Sequence, residues 1–167
     1  MRTSVFVDGS NLYYTQKKLG FHIDGRLLLE ELGKGNELVE AYWYQGLDED
    51  DDSAFRFLEA MSYVGYIIRS KPIKRIVREE TGEVVYRANL DVEMIIDIFN
   101  TLPLYEQCYL VTGDGDFVRV VEILRTRGKV VHVFSTQGMV SRELRMAVGF
   151  NYHDLAEMRD RIEKRIA

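Results

Sequence analysis

Cysteine occurs once in these 167 residues and proline twice, and the chain has neither an excess of basic residues nor a long apolar run. A single Cys108 admits no internal disulfide, and its neighbours Tyr109, Leu110 and Val111 predict a reduced, buried thiol, as in a cytoplasmic protein. Only a short apolar run precedes Asp8, and no stretch approaches membrane-spanning length, so neither export nor a membrane partner is expected. Acids outnumber bases by 27 to 22, giving a net charge of −5, which taken alone disfavours a phosphate backbone as partner. What is present is enough apolar sequence for a core: a chain of this length buries roughly 70% of its unfolded surface. One domain over residues 1–167 is expected, with no repeat, linker or low-complexity stretch.

Apolar strands alternate with helical patterns along the chain. Ser4 to Val7 is a short apolar run that stops at Asp8-Gly9-Ser10-Asn11, with a helix following over Leu12 to Leu19. Leu38 to Gly46 is rich in aromatic and β-branched residues and predicts a second strand. The acid run at residues 48–52 is placed to cap a helix carrying Phe55, Leu58 and Met61. Tyr66 to Ile68 predicts a third strand, and residues 71–87, turning at Glu79 to Gly82, predict a projecting hairpin. Asn89 is a cap for a helix reaching about Thr101. Cys108 to Thr112 is a buried strand ending in Gly113-Asp114-Gly115-Asp116, followed by a helix to Arg127 and a strand over Lys129 to Phe134. A short helix over Ser141 to Val148 and a final helix over residues 154–167 complete the chain. The pattern predicts an α/β fold, with a mostly parallel sheet and helices on both faces.

In such sheets ligands bind beyond the carboxyl ends of the strands. Two strands here end in acids, Asp8 on one and Asp114 and Asp116 on the other, while Asp91 lies in the first turn of the helix leading to the second strand. A right-handed crossover can set these ends side by side. Aspartates after strands are commonly turn and cap residues. Two such ends with this composition are harder to explain as turns alone. Several carboxylates in one crevice repel one another unless a cation joins them, and a donor set of hard oxygens without His or Cys points to Mg2+ or Mn2+.

The segments Val5 to Leu12, Leu90 to Asp97 and Leu110 to Phe117 resemble, in order, the three motifs of the NYN domain in its LabA-like branch, within the PIN-like nuclease superfamily. Ser141-Arg142-Glu143-Leu144-Arg145 is similar to a Ser-x-x-Leu-Arg segment near that family's C-terminus. The resemblance implies a Rossmann-like PIN fold and metal-dependent hydrolysis of RNA phosphodiesters by a hydrolase. It assigns Asp8, Asp91, Asp114 and Asp116 to the acidic metal pocket and its catalysis. Ser10, Asn11 and Thr112 match polar positions lining the pocket, with Asn11 able to orient Asp8 or a phosphate. Asp97 also matches a family position, but six residues on from Asp91 is about 120° round a helix, so it is expected to be a supporting or structural acid. Where the family commonly has Lys before the second motif, this chain has Ala88, with Arg87 adjacent.

Two basic stretches hide within the net acidity. Lys71, Lys74, Arg75 and Arg78 lie on the expected hairpin, and Arg142 and Arg145 lie in the family-like segment, so these six are the candidate RNA contacts. Either stretch could equally be a solvated face. At least one of Tyr13 and Tyr14 is expected to pack beneath the first helix, the other being available to stack on a base. Trp43 is expected in the core or an interface. His22, His132 and His153 are expected to be isolated structural residues. Leu155, Met158, Ile162 and Ile166 form one stripe that is either a packing face or a homodimer contact. Two other functional classes compete with the nuclease. One is a non-catalytic LabA-like nucleic-acid-binding or regulatory module. The other, a haloacid-dehalogenase-type phosphatase, is disfavoured because Ser10 stands where its second aspartate belongs.

Overall fold

The computed structural model describes residues 1–166, with residues 85–87 described by their backbone alone. Strand β1 (Arg2–Asp8) leads into helix α1 (Gly9–Leu19), then α2 (Gly25–Gly33), β2 (Glu37–Leu47), α3 (Asp52–Val64) and β3 (Ile67–Pro72). A hairpin of β4 (Lys74–Val77) and β5 (Val84–Arg87) precedes α4 (Asp91–Asn100) and β6 (Gln107–Val111). The chain closes with α5 (Val118–Thr126), β7 (Val130–Ser135), α6 (Arg142–Val148), β8 (Tyr152–Asp154) and a short α7 (Arg159–Ile162). Six strands form one sheet in the order β3-β2-β1-β6-β7-β8, and each pairing within it is parallel.

Val5, Phe6 and Val7 are consecutive and fully buried, the signature of a central strand covered on both faces. Because side chains alternate along a strand, Val5 and Val7 pack with Leu12 of α1, Leu28 of α2, Leu58 of α3 and Ile162 of α7. Phe6 points the other way, into a cluster with Met94 and Ile98 of α4, Val121 of α5 and Leu144 of α6. Burying each such side chain stabilises the fold by roughly 1.5–3 kcal/mol. Cys108 is buried in the second cluster, as expected, and burial pushes its thiol pKa up. Trp43 is buried in the first cluster and donates from Nε1 to Gln45 Oε1.

The chain builds outward on one side of β1 through β2 and β3, then crosses to the other side for β6, β7 and β8. The reversal lies between β1 and β6, and ligand crevices form at such switch points. Glycine is required where elements meet closely there: a Cβ on Gly113 would lie 2.4 Å from the Met139 carbonyl oxygen.

Several expectations are corrected. Lys71 belongs to the main sheet through β3, so the hairpin begins at Lys74. Helix α2, capped by Asp24 accepting from the Arg26 and Leu27 amides, was not anticipated, nor was the three-residue β8. The helix expected over residues 154–167 is a 3-10 turn at Leu155–Met158 and then the short α7; Ala167 lies outside the described residues. It stops because the chain turns back onto the α1–α2 connection, where Asp24 N donates to Ile162 O and Lys164 N to His22 O, both at 2.8 Å. Leu155, Met158 and Ile162 accordingly face the chain's own core, while Ile166 is 97% exposed. Both Tyr13 and Tyr14 are exposed, because α1 buries Gly9, Leu12 and Thr15 and turns the intervening positions outward. His132 and His153 are not isolated: their rings stack, with Nδ1 of the first 2.7 Å from Nε2 of the second.

Candidate metal centre

The register Val7↔Val111 puts the next residues, Asp8 and Thr112, side by side at the switch point. Thr112 Oγ1 donates to Asp8 Oδ2 at 3.0 Å and accepts from the Asp114 amide at 3.2 Å, so one hydroxyl ties the ends of β1 and β6 together. Asp8 also caps α1, its Oδ1 accepting from the Asn11 amide at 3.1 Å. The Asn11 side-chain oxygen reaches across to accept from Gly113 N at 3.1 Å. Asn11 therefore braces the turn of the third motif with its side chain and holds Asp8 with its backbone. Ser10 Oγ accepts from Gly46 N at 3.4 Å, anchoring the end of β2.

Asp114 caps the turn after β6 by accepting from Asp116 N at 2.9 Å, which folds Asp116 back beside it. Asp91 opens α4, where Asn89 Oδ1 accepts from its amide at 2.8 Å. Carboxylate oxygens of Asp91, Asp114 and Asp116 lie within 4.8 Å of one another. Asp8 stands beside this trio rather than within it, and it lines a cavity of about 210 Å3 shared with Ser10, Asn11, Asn89, Asp91 and Asp114.

Crowding of negative charge is visible in the protonation equilibria. Burial, and then the charges of Asp114 and Asp8, push the Asp91 pKa up to about 7. The Asp8 pKa is also raised, burial outweighing the bonds from Asn11 and Thr112 that favour its ionised form. The all-oxygen donor set suits a hard divalent cation, whose charge would relieve this repulsion. The residues present fit such an ion.

Asp97 faces elsewhere. It accepts from Tyr44 Oη at 2.9 Å and pairs with Arg69, whose Nε lies 3.0 Å from Oδ2. This buried acid links α4 to β2 and β3 as a structural ion pair. Of the candidate cations, Lys71 pairs with Glu93 at 2.9 Å and Arg78 with Glu83 at 3.7 Å. Lys74 and Arg75 are exposed on β4 and make no ion pair among the described residues, while the Arg87 side chain lies outside them. Arg142 is exposed on α6; Arg145 donates to Gly149 O at 2.9 Å and sits over the Tyr152 ring. Neither basic stretch contributes a residue to the wall of the acid cavity. Tyr14 and Ala88 do line it, beside residues of the motifs. Tyr14 lies one turn beyond Ser10 on α1, and that spacing of four is the sequence signal for its place beside the first motif.

A family model for the NYN domain matches residues 2–156. The chain is 43% identical over 167 residues to "Low amplitude and bright protein LabA" of Synechococcus elongatus, covering 98% of this chain and 88% of that protein. A crystal structure of a protein of unknown function from Vibrio parahaemolyticus shares the fold with a TM-score of 0.77 at 24% identity, over 92% of both chains. With its three motif segments meeting at one switch point, the chain belongs to the NYN domain family, within the PIN-like nuclease superfamily.

Proposed function

We propose that this protein is a divalent-metal-dependent ribonuclease, hydrolysing RNA phosphodiester bonds at the acid cluster. The observation that carries this reading is the convergence of Asp91, Asp114 and Asp116, from two separate segments, to within 4.8 Å at the switch point. Those three carboxylates would hold Mg2+ or Mn2+, with Asp8 adding a further carboxylate beside Asp91 and Asp114. When bound, such an ion supplies activation of water and stabilisation of charge on the leaving oxygen. The chain's own contribution is position. Thr112 and Asn11 fix Asp8 and the Gly113–Asp114 turn, Ser10 holds the end of β2, and the exposed Lys74, Arg75 and Arg142 are available to the RNA backbone. Asp114 or Asp116 would also accept the proton of an attacking water.

RNA cleavage assays with Mg2+ and Mn2+ test this directly. Expected is metal-dependent cleavage that Asp114→Asn abolishes with circular dichroism unchanged; cleavage insensitive to both chelator and mutation overturns the assignment. A second reading, a non-catalytic nucleic-acid-binding or regulatory module, draws support from Ala88, an apolar residue lining the cavity where the resemblance leads one to expect a cation. Salt-sensitive RNA binding without cleavage across divalent metals would favour it.

A further inference from the structure

Next to the acid cavity lies a second, larger one of about 720 Å3, within the roughly 300–1,000 Å3 range of pockets that bury small ligands. The two share a wall, with Ser10, Tyr14, Ala88 and Asn89 lining both. The larger cavity is bounded by α1 through Tyr13 and Tyr14, by the ends of β2 and β3 through Gly46 and Ile73, and by the start of α3 through Ala54. Gly46 keeps the floor low: a Cβ there would lie 2.5 Å from the Ala88 Cβ.

We propose that this larger cavity is a nucleobase subsite, in which an unpaired base flanking the phosphate at the acid cluster stacks on Tyr14. Three observations select a base over a phosphate or an aliphatic ligand. First, Tyr13 and Tyr14 are 55% and 56% exposed and pack edge to face at 5.4 Å, so flat aromatic surface faces solvent beside the cavity. Aromatic faces of this kind stack on bases of any sequence. Second, among the described residues the charged side chains lining the cavity are Asp48 and Asp51, which repel phosphate but accept hydrogen bonds from base imino and amino groups. Asp48 uses Oδ1 for the Asp50 amide and Asp51 uses Oδ1 for the Ser53 and Ala54 amides, leaving Oδ2 of each for a ligand. Third, a cation sits over these rings: Lys17 Nζ is 4.8 Å from the Tyr13 ring centre and 5.1 Å from that of Tyr14, within reach of the backbone of a strand whose base stacks there. A base within a duplex cannot reach such a pocket without leaving its stack.

The subsite rests on the nuclease reading for its orientation, and its test separates the two. Fluorescence anisotropy in EDTA would compare a labelled eight-nucleotide RNA with the same backbone carrying abasic residues. The wild-type protein should bind the base-bearing strand roughly tenfold more tightly. Tyr14→Ala should remove that preference and Tyr14→Phe should keep it. Ala54→Leu, which narrows the cavity from α3 without adding an aromatic face, should weaken it with the tyrosines intact. Equal binding of the two strands by wild-type protein, or undiminished preference in both Tyr14→Ala and Ala54→Leu, overturns the subsite. Cleavage of both strands at one rate in Mn2+ also overturns it and leaves the nuclease standing. Base preference without cleavage in either Mg2+ or Mn2+ keeps the subsite and removes the nuclease.

Discussion

Thr112 is one hydroxyl with two partners, the Asp8 carboxylate and the Asp114 amide, and it is 1% exposed. Valine at this position matches its shape and leaves both partners without their bond. Such a loss costs about 1–3 kcal/mol of stability. Removing a group that orients a ligating carboxylate also typically weakens metal binding by about 10–100-fold. Thr112→Val is therefore expected to show both effects, and Thr112→Ser to restore most of each, measured by chemical denaturation and by calorimetric titration with Mn2+. Asp97 gives the contrasting case. Its partners are Tyr44 and Arg69 rather than the acid trio, so Asp97→Ala should destabilise by about 1–3 kcal/mol, discounted for the half-exposed guanidinium, and leave Mn2+ affinity unchanged. Helical periodicity alone separated these two acids, because Asp91 and Asp97 share a helix but not a face. The exposure of Tyr14 could not be read the same way, since an aromatic after a motif is as compatible with the core as with solvent.

At the scale of elements, α6 acts as a buttress for the turn that carries Asp114 and Asp116. Ser141 caps it by accepting from Leu144 N at 3.1 Å, and Ser141 N donates to Gly113 O at 2.9 Å. Ser141→Ala removes the cap, for an expected loss of about 1 kcal/mol. Hydrogen exchange should quicken over α6 and over residues 113–117 together, whereas a cap serving its helix alone would leave the turn protected. The elements legible in the sequence were those with strong local signals: the run Val5-Phe6-Val7, the Asn89 bond to the start of α4, and the short helix over Ser141 to Val148. Those missed depend on distant partners. Strand β8 has three residues, too few for periodicity, and exists because β7 offers an edge. Helix α7 ends where it does because the segment around His22 accepts the chain's backbone, a contact that residues 154–167 do not encode. The candidate site was more legible than the fold's periphery because Asp8, Asp114 and Asp116 follow strand ends and Asp91 opens the helix between, positions that the topology brings together. Asp8's place beside the trio depends on Thr112 and on packing, and so needed coordinates.

For the whole molecule, two pairs of like groups oppose each other in the pH dependence of stability. Asp91, raised to about 7 by burial and by Asp114 and Asp8, binds a proton in the folded state that the unfolded chain has already released above pH 4. Ionising it works against the fold, so its contribution to stability falls as pH rises from about 4 to 7. His132 is lowered to about 4, by burial first and then by His153, and His153 is lowered by burial. There the unfolded state takes up protons first, so stability falls as pH drops from about 6.5 towards 4. Across that window the two slopes offset, and the metal-free protein should show a shallow stability profile. Asp91→Asn deletes one slope and unmasks the other. The variant's Tm, measured by differential scanning calorimetry in EDTA, should climb from pH 4.5 to 6.5 more steeply than that of the wild type. It should exceed the wild-type value at pH 7.5, where the folded wild type carries the full repulsion. Addition of Mn2+ at pH 7.5 should raise the wild-type Tm more than that of Asp91→Asn, because a cation binding the native state relieves in the former what the amide has already removed in the latter. Identical profiles for the two proteins would mean that neither burial nor the charges of Asp114 and Asp8 raise the Asp91 pKa in the folded state.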